Sequence, residues 1–142
     1  MEKFWKLSPW LVRLILAPPV LIFGMIASRF LRDPVHEATA VGISFVSPLG
    51  LTIARVGFGA FPLACSIFTL ACLLSSRRLL TGLGFVTTVM SAALVVRVFG
   101  MLADGTTREN MHLVTAETVF LALMLVGVFI ERGRRQQFAQ AA

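Results

Sequence analysis

Apolar residues fill four long blocks of the chain, roughly 10–30, 51–74, 79–103 and 112–130, and polar residues gather between them. Each block is about 19 to 25 residues long, enough to cross about 30 Å of hydrocarbon at about 1.5 Å per residue. The pattern predicts four transmembrane helices in an all-α integral membrane bundle, one domain over 1–142 with a short basic tail at 131–142. The breaks are a Pro-bearing polar stretch at 29–48, a Ser75-Ser76-Arg77-Arg78 turn and a hydrophilic loop at 104–110. Short loops make antiparallel neighbours, so spans two to four are expected to form two hairpins. Pro18 and Pro19 fall near the middle of the first span and remove two backbone donors, which predicts a kink. Between the first two spans, 35–46 is apolar but too short to cross. It is read as an interfacial helix or a segment dipping back into the bundle.

Composition agrees with the blocks. Of 142 residues, 57% are apolar and 14% charged, with a mean hydropathy of +0.86, too apolar for an ordinary soluble domain. The net charge of +6 sits at predicted helix ends rather than in one patch, which points to membrane topology and not to nucleic acid. An even number of spans puts both termini and the second-to-third turn on one side, with Lys3, Lys6, Arg77, Arg78, Arg132, Arg134 and Arg135. Arg29, Arg32 and Arg108 fall on the other side, so both termini are expected in the cytoplasm. Trp5 and Trp10 suit an interfacial anchor at the start of the first span. That span reads as an uncleaved helix: Lys3 and Lys6 precede it as in a signal peptide, but the run is long and Ala38-Thr39-Ala40 lies well beyond its end. Cys65 and Cys72 are separated by about 10.5 Å of helical rise, too far for a disulfide between them.

Candidate chemistry lies in the four ionisable residues inside apolar blocks, Arg13, Arg55, Arg97 and Glu117. A charge at the centre of a membrane helix costs roughly 2.5–3.5 kcal/mol on insertion scales, so each needs a partner or a polar niche. Arg97 and Glu117 lie ten residues either side of Thr107, so an antiparallel hairpin brings them to one depth. Arg55 enters from the same side, roughly 6 Å along its span, and Asp104 can reach back from the end of the third. Arg55, Arg97, Glu117 and Asp104 therefore form a candidate ligand-binding cluster. It is either a structural clasp or a site whose spare guanidinium receives a carboxylate or lipid phosphate. The small residues Gly57, Gly59, Ala60 and Ala64 mark a helix contact that would hold Arg55 toward the bundle interior, and Gly82 and Gly84 mark another. Arg13, close to Trp10 and the boundary, is expected to bury its stem and send its head to lipid phosphates.

No metal or cofactor is expected. His36 and His112 lack ligand spacing and suit a surface or helix-cap role. Ser66, Thr69, Thr87, Thr88, Ser91 and Thr115 are expected to bond helix carbonyls or a neighbouring helix, because no Ser-His-Asp pattern accompanies them.

Asp33-Pro34, Gly42, the run Arg55-Val56-Gly57-Phe58-Gly59-Ala60-Phe61, Arg97 with Gly100, Asp104-Gly105 and Glu117 together resemble small bacterial four-helix membrane proteins of the DoxX-like kind. The likeness extends over 33–130. It implies a multi-pass bacterial inner-membrane bundle with a polar cluster of Arg55, Arg97 and Glu117, and it brings no established reaction. Ala60 departs from a fully glycine-paired version of the pattern. The functional expectation is a non-enzymatic module that binds a lipid or amphipathic ligand, or serves as an accessory subunit. Its partners would be membrane lipids, its own copies or a larger membrane complex. The alternatives are a membrane-embedded enzyme using Glu117 as acid or base, and a small anion or proton transporter.

Overall fold

The computed structural model describes residues 2–140, with side chains over 7–137. The side chains of Lys3, Trp5 and Lys6 lie outside the described ones. Among the described residues the chain is all helix and turn: α1 (Glu2–Arg32), α2 (Pro34–Ala40), α3 (Pro48–Ala54), a π-helical segment (Arg55–Ala60), α4 (Phe61–Leu74), α5 (Leu79–Asp104) and α6 (Arg108–Gln140). Four stretches are long and apolar enough to cross a membrane: Leu7–Arg32, Pro48–Leu74, Leu79–Asp104 and Arg108–Gln137. Each contains an expected block and overruns it, because polar and capping residues extend the helices past the apolar runs. Leu14, Leu21, Phe99, Leu102 and Phe129 are each at least 70% exposed, an arrangement that suits lipid and not water.

The element ends follow from local chemistry. Asp33 caps α2 by accepting from the His36 backbone N–H at 3.0 Å, with Pro34 in the first turn where its missing N–H costs nothing. The 35–46 stretch thus becomes a two-turn helix followed by an irregular connection through Gly42, whose φ of 77° few side chains tolerate. Ser47 and Pro48 repeat the same capping arrangement for α3, with Ser47 Oγ accepting from Gly50. The helix α1 continues through Pro18 and Pro19.

The second span departs from the uniform helix that its sequence predicts. The turn Arg55–Ala60 is π-helical, and the Phe61 N–H bonds the Val56 carbonyl five residues back. Pro62 accounts for this. A proline has no N–H, and its ring crowds the carbonyl four residues earlier, so a widened turn relieves the clash just upstream.

The chain divides into two compact units, with the boundary in α1 immediately before the prolines. The first joins α1 up to Leu16 with everything from Cys72 onward. Its core sets Val12, Ile15 and Leu16 of α1 against Leu79, Leu83 and Val86 of α5 and Met124 of α6. The α5 positions recur at four and three residues, one helical stripe. Two glycines permit this closeness: a Cβ on Gly82 would lie 2.7 Å from Cys72 Cβ, and one on Gly127 2.7 Å from Leu83 Cδ2. Gly84 faces open space, so of the two glycines expected to mark this contact only Gly82 does.

The second unit runs from Ala17 to Ala71. Here the C-terminal half of α1 meets the second span in antiparallel register. A Cβ on Gly59 would lie 2.8 Å from Leu31 Cδ2, and one on Gly24 3.3 Å from Ser66 Oγ. Ser66 Oγ donates to the Val20 carbonyl at 2.8 Å, and Phe30 and Phe58 meet with ring centroids 5.1 Å apart. A Cβ on Gly57 would meet nothing within 4 Å, so of these two glycines of the second span only Gly59 is closely packed.

Candidate functional site

The α5–α6 hairpin turns at Gly105, whose φ of 99° lets the chain reverse in three residues. That short turn sets the register, and Arg97 meets Glu117 as the hairpin count predicts. Arg97 Nε donates to Glu117 Oε2 at 2.9 Å and Nη2 to Oε1 at 2.7 Å, a two-pronged charge-assisted contact. Arg97 Nη1 also donates to Asn110 Oδ1 at 3.4 Å. The side chains of Arg97 and Glu117 are 29% and 18% exposed, so the pair is half-buried on an otherwise apolar hairpin. Both carboxylate oxygens are engaged, while the guanidinium keeps part of its donor capacity.

The other two candidates are not among the bonding partners of this pair. Asp104 is exposed at the end of α5 and is not among the partners of Arg97. Arg55 belongs to the second unit, where it is exposed at the start of the π-helical turn and has no hydrogen-bond or ion-pair partner among the described residues. Asn110 takes a place that sequence reasoning did not assign. The signal was available, because Asn110 lies seven residues before Glu117, two turns along the same face of α6.

A second polar cluster lies at the opposite end of the α5–α6 hairpin. Glu131 is fully buried on α6 and accepts from Arg134 Nη2 at 2.6 Å, Arg134 Nε at 2.8 Å and Arg135 Nε at 3.1 Å. Arg135 Nη2 then donates to the Arg77 carbonyl at 2.8 Å and Arg134 Nη2 to the Ser76 carbonyl at 3.5 Å. Arg13 completes the clamp: its Nε donates to the Leu73 carbonyl at 3.2 Å and its Nη2 to Ser76 Oγ at 2.8 Å. The last carbonyls of a helix have no partner within it, so these arginines cap the end of α4 and its turn. The head of Arg13, expected among lipid phosphates, is instead drawn into this clamp and lies 5.2 Å from the Trp10 ring. Glu131 escaped the sequence reading because it falls just past the last apolar block. Its partners three and four residues on were the available clue.

Five of the six hydroxyl groups are used as expected, Ser91 being the exception. Thr69, Thr87, Thr88 and Thr115 each donate to the carbonyl four residues back, and Ser66 donates across to α1. His36 and His112 are exposed. Among the described residues no three His, Cys, Asp or Glu side chains are grouped as metal ligands. Cys65 and Cys72 are free buried thiols.

Against known proteins, no family model matches this chain, nor does any curated protein or solved structure. The polar chemistry above and the four apolar helices are therefore the basis for a functional reading.

Proposed function

We propose that this chain is a small polytopic membrane protein without catalytic machinery of its own, which binds a lipid or amphipathic ligand at its lateral surface. The observation that carries the reading is how the charges within the spans are employed. Arg97 and Glu117 are closed on each other and on Asn110, Arg13 caps the end of α4, and Arg55 alone is directed to the exposed surface. A carboxylate with both oxygens held by one guanidinium is suited to fixing a hairpin and poorly placed to shuttle protons. The candidate residues Arg55, Arg97, Glu117 and Asp104 are accordingly proposed to divide the labour. The Arg97–Glu117 pair acts as a clasp, and ligand contact falls to arginine donors not committed to it. Service as an accessory subunit of a larger membrane complex belongs to the same reading, with the exposed apolar faces covered by protein instead of lipid.

The proposed setting is a bacterial inner membrane, both termini in the cytoplasm. Arg77, Arg78, Arg132, Arg134 and Arg135 lie on the chain segments that this orientation retains inside. The DoxX-like resemblance of the motifs around Arg55, Arg97 and Glu117 supports the same setting.

Extraction in a lipid-retaining polymer followed by native mass spectrometry tests the function. Stoichiometric lipid or a stable partner subunit should accompany the wild-type chain. Turnover of a hydrophobic substrate that Glu117→Gln abolishes while the fold remains intact would overturn the reading in favour of an enzyme. Vesicle flux that depends on Arg55 or Glu117 would overturn it in favour of a transporter.

A further inference from the structure

We infer that Arg55 and Arg32 together bind the phosphate of an anionic phospholipid at the surface of the second unit, with its acyl chains lying along the adjoining apolar face. The inference rests on the lipid-binding reading above and names its site and ligand class.

The register of the unit brings the two arginines to neighbouring depths. Gly59 packs on Leu31, with a built Cβ 2.8 Å from Leu31 Cδ2, and Phe58 meets Phe30. Arg32 is one residue beyond Leu31 on α1, and Arg55 is four residues before Gly59 on the antiparallel partner. At about 1.5 Å per residue their backbones differ in depth by roughly 4–5 Å, within the span of two long side chains. Both side chains are exposed, and neither has a hydrogen-bond or ion-pair partner among the described residues.

Neighbouring charges are already committed elsewhere. Glu37 lies 3.9 Å from Arg29, and Asp33 Oδ1 accepts from the His36 N–H as the cap of α2. Neither carboxylate forms an ion pair with Arg55 or Arg32 among the described residues, which leaves two guanidinium groups at the end of an apolar span without a bonded counter-charge. Each offers a planar fork of N–H donors, the geometry that phosphate oxygens accept.

The surroundings fit a lipid better than a free ion. The span Pro48–Leu74 has 27 residues, about 40 Å of helix against about 30 Å of hydrocarbon, so the head of Arg55 reaches the headgroup boundary by extending its stem. On the membrane side of Arg55 the surface is apolar: Leu31, Val56, Phe58 and Phe61 are 41%, 60%, 47% and 63% exposed. Two exposed guanidinium groups at neighbouring depths above an apolar wall are complementary to a phosphate joined to acyl chains.

The test uses the full chain in nanodiscs of phosphatidylglycerol or of phosphatidylcholine with the same acyl chains, transferred to detergent and read by native mass spectrometry. The wild type should retain phosphatidylglycerol preferentially. Arg55→Gln and Arg32→Gln should each cut that retention roughly tenfold, the loss of one charge-assisted contact. Arg55→Lys should fall between, and Arg108→Gln should match the wild type. Circular dichroism on each variant establishes that the helices persist. Equal retention of both lipids, unchanged by the two glutamine variants, overturns the assignment. So does displacement of the lipid by inorganic phosphate with equal thermal protection, which would make the ligand a free anion. A third overturning result is the Arg55→Gln variant splitting an oligomer while lipid preference stays the same, since the arginine would then face a second subunit. In all three cases stoichiometric lipid retained elsewhere on the chain leaves the broader reading standing, whereas a wild-type chain free of both lipid and partner overturns both.

Discussion

Separating Arg97 from Glu117 tests whether the charge inside the α5–α6 hairpin is a clasp. The pair has contacts of 2.7 and 2.9 Å and side-chain exposures of 29% and 18%. Fully exposed ion pairs contribute about 0.2–1 kcal/mol, while stranding one member of a buried pair costs about 3–5 kcal/mol. A half-buried pair on an apolar hairpin falls between, so Arg97→Leu and Glu117→Leu should each destabilise by about 2–3 kcal/mol. Arg97 carries a further, longer contact to Asn110, which places its substitution at the upper end of that range. The double variant removes both charges together with the cost of desolvating them and should lie within about 1 kcal/mol of the wild type. Reversible unfolding in mixed micelles, run as a double-mutant cycle, reads the difference directly. A double variant whose loss equals the sum of the singles within about 0.5 kcal/mol would refute the clasp, because the two side chains would then act independently.

Three further outcomes follow from the same contacts. Gly82→Val places a Cβ 2.7 Å from the backbone-anchored Cβ of Cys72 and should cost about 1–3 kcal/mol, while Gly84→Ala, facing open space, should be neutral or gain up to about 1 kcal/mol; equal thermal shifts for the two would contradict the packing. Glu131→Ala strands Arg134 and Arg135, which are 17% and 41% exposed, and should destabilise the clamp by about 1–3 kcal/mol, exposing the Arg77-Arg78 bond to trypsin; unchanged protection would show that the clamp does not hold the turn. Cys65 and Cys72, both 3% exposed, should react with maleimide slowly in native membranes and rapidly after denaturation, and fast native labelling would place them at the surface instead.

Much of the fold was legible because membrane spans are written in block hydrophobicity, which needs no tertiary information. The Arg97–Glu117 contact was legible for a related reason: a three-residue turn fixes hairpin register, so counting from Thr107 gives depth. Counting along one axis gives no azimuth, however. It leaves Asp104 to reach back from the end of the third span, a contact Arg97 does not make, and it passes over Asn110, which shares a helix face with Glu117 and bonds Arg97. The glycines show the same limit. Gly59 and Gly82 meet a neighbour whereas Gly57 and Gly84 do not, and a small residue advertises only that approach is allowed. Arg13 is expected to send its head to lipid phosphates, but the nearby end of α4 and its turn offer it acceptors that no local pattern discloses.

The π-helical turn begins at Arg55, whose side chain is exposed. The sequence reading extrapolated a uniform helix through the small residues from Gly57 to Ala64, which would point the side chain of Arg55 toward their packed face. A π-turn takes one more residue than an α-turn, so everything upstream is rotated by about 100° relative to that extrapolation. The rotation originates in Pro62, which supplies no N–H, and it is recorded by the bond from Phe61 to Val56. Gly59 stays against Leu31 on the packed side of the turn, while Arg55, at the beginning of the turn, is exposed. The turn thus serves two tasks within four residues. Close packing is kept at Gly59, and a cation is presented at the edge of the apolar span.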